Sequence, residues 1–299
     1  MDEPPSASAL RPRLTGLQCM ALSAFFFSLM SLTVKVAGQR LPAMELVFAR
    51  AVVVSLLAGS DLRRRRVPLY GADTRILLAR GLVGFVALAC FYYSVIHLPL
   101  AEATVIHFTN PVFTALMAAA FLGERLRARE FALALLGLLG VIVIVRPGGA
   151  LGGAPLPALP VASSLTAAVL AGVAYVLVRH LRRHDAMLVV FSFAGVTSLA
   201  ALPLMLPGFV WPRGVEWLVL LGVGLSTFFG QVFLTLGLQR EEAGRATTVG
   251  YLQIVFATVW GAVVFGDRPT AATALGAAII VGATLLLARL RGRDAGTQG

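Results

Sequence analysis

Charged side chains are scarce in this sequence: Asp, Glu, Lys and Arg supply 13% of 299 residues, against about 25% in soluble domains. Lysine occurs once, as Lys35, and cysteine twice, as Cys19 and Cys90, both inside apolar runs. Two thiols so placed make neither a disulfide framework nor a metal site and serve as small apolar residues. The phosphate-binding pattern GxxxxGK[ST] is missing, as are HExxH and GxSxG, which excludes an ATP-driven pump within the chain and the common hydrolases. Gly222-Val223-Gly224 begins like a dinucleotide fingerprint but lies in an apolar run with no strand before it. No cofactor, metal or enzymatic activity is therefore expected. The longest loop, around 60–73, is too short to fold alone. The alternation of apolar and polar residues that marks a β-barrel is absent.

What the chain does have is hydrophobic residues, 58% of the total. A membrane-spanning helix needs about 20 mostly apolar residues to cross roughly 30 Å of hydrocarbon. Ten such runs predict an all-α integral membrane protein, with spans near 14–37, 42–59, 74–97, 100–122, 131–146, 158–181, 186–206, 216–239, 243–265 and 271–290. The first run is too long for a signal peptide and lacks a small-residue cleavage site, so it is expected to stay. A net charge of +11 could suggest nucleic acid, but its placement argues otherwise. Arg11, Arg13, Arg63 to Arg66, Arg75, Arg125, Arg127, Arg129, Arg179, Arg182, Arg183, Arg240, Arg245, Arg289, Arg291 and Arg293 fall at alternate loops. The other loops hold only Arg40, Arg146, Arg213 and Arg268. The positive-inside rule puts both termini and the Arg-rich loops in the cytoplasm.

The sequence also repeats. A shift of 143 residues lays the second half over the first without a gap: Ala43, Met44, Val47 and Phe48 fall on Ala186, Met187, Val190 and Phe191, and Ala103, Thr104, Val112 and Phe113 on Ala246, Thr247, Val255 and Phe256. Each copy holds five spans. An odd number makes the second copy enter the membrane from the opposite side, which gives the inverted repeat of membrane transporters. Loop charge inverts with it, since Arg63 to Arg66 follow the second span while the loop after the seventh carries a single Arg. The expected organisation is an N-terminal tail (1–13), a first repeat (14–146), an external Gly/Pro-rich linker (147–157), a second repeat (158–290) and a C-terminal tail (291–299).

Ionisable residues at membrane depth cost roughly 2.5–3.5 kcal/mol on insertion scales, so each is a functional candidate. Arg50 lies near mid-span in the second run, and its repeat mate is Phe193; Arg80 lies in the inner part of the third, opposite Val223. Each lines a cavity or sits in a structural pair. Lys35, near the outer end of the first span, either snorkels to the interface or joins Ser28 and Ser31 on a polar face. Glu45 and Glu102 fall near outer ends, which leaves no acid at mid-membrane. His107 is the best candidate for proton coupling or is a hydrogen-bonded helix residue. Thr104, His107, Asn110, Pro111 and Thr114 share one side of the fourth span, with Pro111 expected to bend it as a hinge. Thr247, Gly250, Tyr251 and Gln253 mark the ninth, with Gln253 at the place of Asn110; Thr227, Gln231 and Thr235 line a face of the eighth, and Tyr92 of the third takes the place of Thr235. Polar residues of this kind can simply join helices. Their gathering on repeat-related spans predicts a central cavity lined by spans one, three, four, six, eight and nine.

The stretches FYYSVIHLPLAEATVIHFTNPVFTALMAAAFLGERL from Phe91 and LQREEAGRATTVGYLQIVFATVWGAVVFGDRPTAATALGAAIIVGATLLL from Leu238 resemble the two EamA repeats of the drug/metabolite transporter superfamily. Gly123-Glu124-Arg125 matches the family's Gly-Glu turn, and Gly266-Asp267-Arg268 departs from it by Asp for Glu. Many relatives carry Trp in the first span where this chain has Phe25-Phe26-Phe27. The resemblance implies a carrier of small organic metabolites in a bacterial inner membrane, often an exporter of amino acids or related compounds. From the residues themselves, Arg50 or Arg80 would attract a carboxylate while Asn110, Gln231, Gln253 and Tyr92 supply hydrogen bonds. A zwitterionic or anionic small solute, an amino acid foremost, fits such a lining. The expected partners are that solute and the lipid bilayer, not nucleic acid, with the monomer as working unit. The alternatives are a carrier of cations, drugs or other metabolites, and an intramembrane scaffold or receptor that transports nothing.

Overall fold

The computed structural model describes residues 14–68, 73–110, 112–113, 117, 128–145, 155–240, 249–267 and 269–295. Their α-helices are α1 (Gly16–Ala37), α2 (Ala43–Arg65), α3 (Thr74–His97), α4 (Leu100–His107), α5 (Ala128–Val145), α6 (Ala158–His180), α7 (Ala186–Met205), α8 (Glu216–Arg240), α9 (Leu252–Phe265) and α10 (Ala271–Ala295), with a 3₁₀ turn at Leu206–Gly208. Among the described residues there is no strand. Among the described residues, six helices are long and apolar enough to cross a bilayer: α1, α2, α3, α6, α7 and α8; Phe131–Ile144, Leu252–Phe265 and Ala271–Ala283 are shorter apolar segments. Much of the run expected over 100–122 lies outside the described residues, and Pro111, Thr114 and Thr247 with it.

Local chemistry explains several helix ends. Thr15 and Gln18 form a reciprocal capping box at the start of α1, satisfying donors the helix leaves free. Asp185 caps α7 by accepting from Met187 N at 2.8 Å. α9 stops at Gly266, whose φ of 68° suits a residue without a side chain, and Asp267 N then closes the turn on Gly261 O at 3.0 Å.

The helices pack with an internal two-fold symmetry. α1 lies on α8 as α3 lies on α6, α2 on α8 as α7 on α3, α2 and α5 each meet their own repeat mates α7 and α10, and α4 meets α9. At residue level the same contact is made twice. A Cβ on Gly81 would come within 2.7 Å of Val196 Cβ, and one on Gly224 within 2.5 Å of Val53 Cβ; these four positions are related by the 143-residue shift. Small residues bring backbones together where lipid offers no hydrophobic drive. Gly81→Val and Gly224→Val are each expected to destabilise the protein by about 1–3 kcal/mol through overpacking. Thermal unfolding in detergent checks this, and a loss confined to one of the two variants would contradict the equivalence.

Repeat mates run in opposite directions. Arg65 near the end of α2 pairs with Asp185 at the start of α7 at 2.7 Å. Gly38 after α1 sits on Ile96 near the end of α3, whereas the start of α1 meets the end of α8, where a Cβ on Gly237 would lie 2.5 Å from Met20 Sδ. α3 and α8 therefore oppose each other, and the halves are inverted.

The two ends of the bundle differ. At the end holding residue 14, Arg65 bridges Asp61 and Asp185, His184 meets Asp73 at 3.2 Å, and Arg240 donates to Leu14 O. The Arg65 guanidinium, by hydrogen-bonding Asp185, holds that carboxyl below its usual range. At the far end Arg40 grips Glu216 and Trp211 O, and Trp211 and Trp217 stack edgewise at 5.9 Å, an arrangement suited to a membrane–water interface. Lys35 is held here too: its Nζ donates to Leu98 O at 2.6 Å and lies 3.7 Å from Asp267. The amine thus closes onto neighbouring helices and does not snorkel outward.

Candidate functional site

Between the middle of the bundle and the residue-14 end lies a cavity of about 110 Å³, several times the 10–15 Å³ or so that one water needs on this measure. Its wall comes from α1 (Phe27), α2 (Arg50), α3 (Arg80, Gly84, Phe91), the end of α4 (His107), α6 (Tyr175), α7 (Phe193), α8 (Gln231) and α9 (Gln253), among others. All six helices expected to line it do so, and α2 and α7 contribute as well.

Arg50 and Arg80 face each other around one aromatic ring. The guanidinium carbon of Arg50 is 5.5 Å from the centre of Phe193, and that of Arg80 is 4.2 Å from the same point. Both residues are 3% exposed. Neither has an acidic partner among the described residues. Arg50 Nη1 reaches the Met30 thioether at 3.8 Å, its guanidinium lies 5.8 Å from the Tyr92 ring, and its Nε is buried without a hydrogen bond. Nε and Nη1 of Arg80 are buried without a hydrogen bond. Ring faces attract cations by about 0.5–2 kcal/mol, far less than an ion loses on leaving water. Two buried cations are thus left with unfilled donor capacity. Gly84 makes room for this geometry, because a Cβ there would collide with Arg80 Nη1 and lie 2.6 Å from the Phe193 ring.

Of the other residues singled out in the sequence, His107, Gln231 and Gln253 reach the wall. The His107 ring packs 4.4 Å from Phe91, and its Nδ1 finds no hydrogen bond. Tyr92, Asn110, Thr227 and Tyr251 do not line the cavity; all four are buried against neighbouring helices. The Tyr92 hydroxyl points to the region of Arg50 and Thr227, and Tyr251 packs 5.6 Å from the Phe108 ring. Pro111 lies outside the described residues, and no bend is assigned to it. Among the described residues no cluster of His, Cys, Asp or Glu could hold a metal ion.

Sequence reading missed Phe193, Tyr175, Phe27 and Phe91. For Phe193 there was a signal: it is the repeat mate of Arg50, and mates on helices that meet across a two-fold axis can touch. Tyr175, Phe27 and Phe91 stand in apolar runs beside no charged residue, so nothing local in the sequence separates them from lipid-facing residues.

Comparison with known proteins places this architecture. The model of the EamA-like transporter family matches residues 14–146 and again 159–289. The chain is 35% identical over 278 residues to the pseudopaline exporter CntI of Pseudomonas aeruginosa strain UCBPP-PA14, covering 93% of this chain and 97% of that one. It is 28% identical over 286 residues to an uncharacterized transporter of Helicobacter pylori strain J99, covering 92% and 95%. With solute carrier family 35 member G1 of Mus musculus it shares 31% over 283 residues, 90% of this chain and 77% of that one. A solved crystal structure superposes with a TM-score of 0.64 at 24% identity, over 92% of this chain and 98% of the other; that likeness concerns the fold.

Proposed function

This chain belongs to the EamA-like transporter family, and on that premise we propose that it is an alternating-access exporter of small anionic or zwitterionic metabolites, amino acids and their relatives foremost. The observation that carries the substrate reading is the pair of buried arginines in a cavity whose wall, among the described residues, holds no Asp or Glu. Fixed cationic charge in a low-dielectric site attracts an anion and repels a cation. Arg50 receives a carboxylate, and the amides of Gln231 and Gln253 satisfy further polar groups. A cation or drug carrier would need acids at this depth, and Glu45 and Glu102 are engaged elsewhere, with Val210 N at 3.1 Å and the Thr273 hydroxyl at 2.8 Å.

In this reading ten spans form two repeats, 14–146 and 158–290, joined by the external linker 147–157. The Arg-rich end faces the cytoplasm of a bacterial cell whose inner membrane holds the protein, with the tails 1–13 and 291–299 on that side. The two inverted halves exchange conformations, and the cavity opens to each side in turn. The far-end contacts of Arg40 with Glu216 and Lys35 with Asp267 close the outer side in the state described. Export is favoured by the likeness to a named exporter. Counterflow in proteoliposomes tests the proposal. Radiolabelled amino acids and organic acids should exchange across the membrane, and no exchange of any member of either class would overturn it.

A further inference from the structure

We propose that the cavity selects solutes bearing two carboxylates, with Arg50 and Arg80 each taking one and Arg80 setting the preference for a dianion over a monoanion. The inference rests on the anion-carrier reading above and narrows it to a charge count. Both guanidiniums touch one ring, at 5.5 and 4.2 Å from its centre, so their carbons lie less than about 10 Å apart and are joined by a single cavity. An extended four-carbon dicarboxylate has its carboxyl carbons about 4 Å apart, from standard bond lengths. A carboxylate carbon sits about 4 Å from the guanidinium carbon it pairs with, so such a molecule keeps within this bound by bending and meeting the two forks at an angle, since an in-line arrangement would need about 12 Å.

The charge balance favours the same answer. One carboxylate can pair with one arginine, which leaves the other a buried, unpaired cation in a site of low dielectric. Phe193 serves both arginines and supplies only weak cation–π attraction to each. A second carboxylate removes that defect and gains charge-assisted hydrogen bonds from a planar fork whose geometry suits it. Among the described residues the cavity wall has no Asp or Glu to meet a solute ammonium. A net dianion therefore fits this wall better than a neutral zwitterion.

The experiment compares radiolabelled succinate with butyrate, equal in chain length and different by one carboxylate, in counterflow with wild-type protein. Succinate should exchange at least about tenfold faster, the factor that corresponds to one contact of about 1.4 kcal/mol. In Arg80→Gln that ratio should fall to within about twofold, while Arg80→Lys, which keeps the charge, should retain part of it. Equal exchange of the two acids by the wild type, or an undiminished ratio in Arg80→Gln, would overturn the inference and leave anion transport standing. Exchange of neither acid, with no stabilisation of the detergent-solubilised wild type by succinate over butyrate, would overturn it too, and exchange of amino acids alone would then show which reading had failed. The wild-type comparison needs no variant, so an Arg80 substitution that did not fold would still leave the test decisive.

Discussion

Replacing Arg50 by Gln should lower solute exchange by about 100-fold and leave the protein at least as stable as before. The two halves of that expectation come from one fact. Arg50 is buried beside a thioether and two rings, with no carboxylate among the described residues to neutralise it. With solute bound, truncating one side of a buried charge pair costs about 2–5 kcal/mol, and 2.7 kcal/mol is roughly 100-fold. Without solute the charge is a burden on the fold, because a buried unpaired ion carries a desolvation penalty of several kcal/mol. Gln removes the ion and keeps much of the volume. Counterflow rates and detergent melting curves of the empty protein would be read together. A variant that transported at the wild-type rate would sink the role of Arg50. One that lost transport together with a large loss of stability would assign Arg50 to the scaffold.

Arg50 was visible in the sequence because charge in an apolar run is rare and conspicuous. The inverted repeat was visible for a different reason: one register held across two halves that each carry an odd number of spans. Depth and facing were less legible. Thr227, Gln231 and Thr235 stand at four-residue spacing on α8, yet only Gln231 reaches the cavity, and Thr235 turns its hydroxyl back to Gln231 O at 2.8 Å. Periodicity tells which residues share a face but not which turn of that face meets empty space. Tyr92 and Asn110 lie behind the cavity wall for the same reason. For Lys35 the sequence leaves snorkelling and a polar face with Ser28 and Ser31 both open, because its partners, Leu98 O and Asp267, stand 63 and 232 positions away, where no local pattern could indicate them.

Gly84→Val should reduce exchange by about tenfold or more. The missing side chain at this position is what lets Arg80 and Phe193 come together, since any Cβ would meet the guanidinium and the ring at once. A branched side chain would displace both. Overpacking of this sort costs about 1–3 kcal/mol of stability, and a shift of about 1 Å in a binding group can cost as much as 100-fold in rate. Gly195 on α7 provides the comparison, because a Cβ there would meet nothing within 4 Å. Gly195→Ala should transport normally and gain a few tenths to about 1 kcal/mol from better helix propensity. Wild-type exchange in Gly84→Val would show that Arg80 has room to move aside, and that its observed position is dispensable.

Phe193 and Arg50 occupy the same place in the two halves and touch across the axis that relates them. Two separate, identical five-helix chains meeting at such an axis would have to set Arg against Arg or Phe against Phe. The first arrangement repels and the second carries no charge. Joining the halves in one polypeptide frees each copy to drift, so a cation and the ring that shelters it can share a position that symmetry would otherwise make uniform. The price of fusion is that neither half could now be replaced by a duplicate of the other: a chain built from two first halves would place two guanidiniums in contact at its centre.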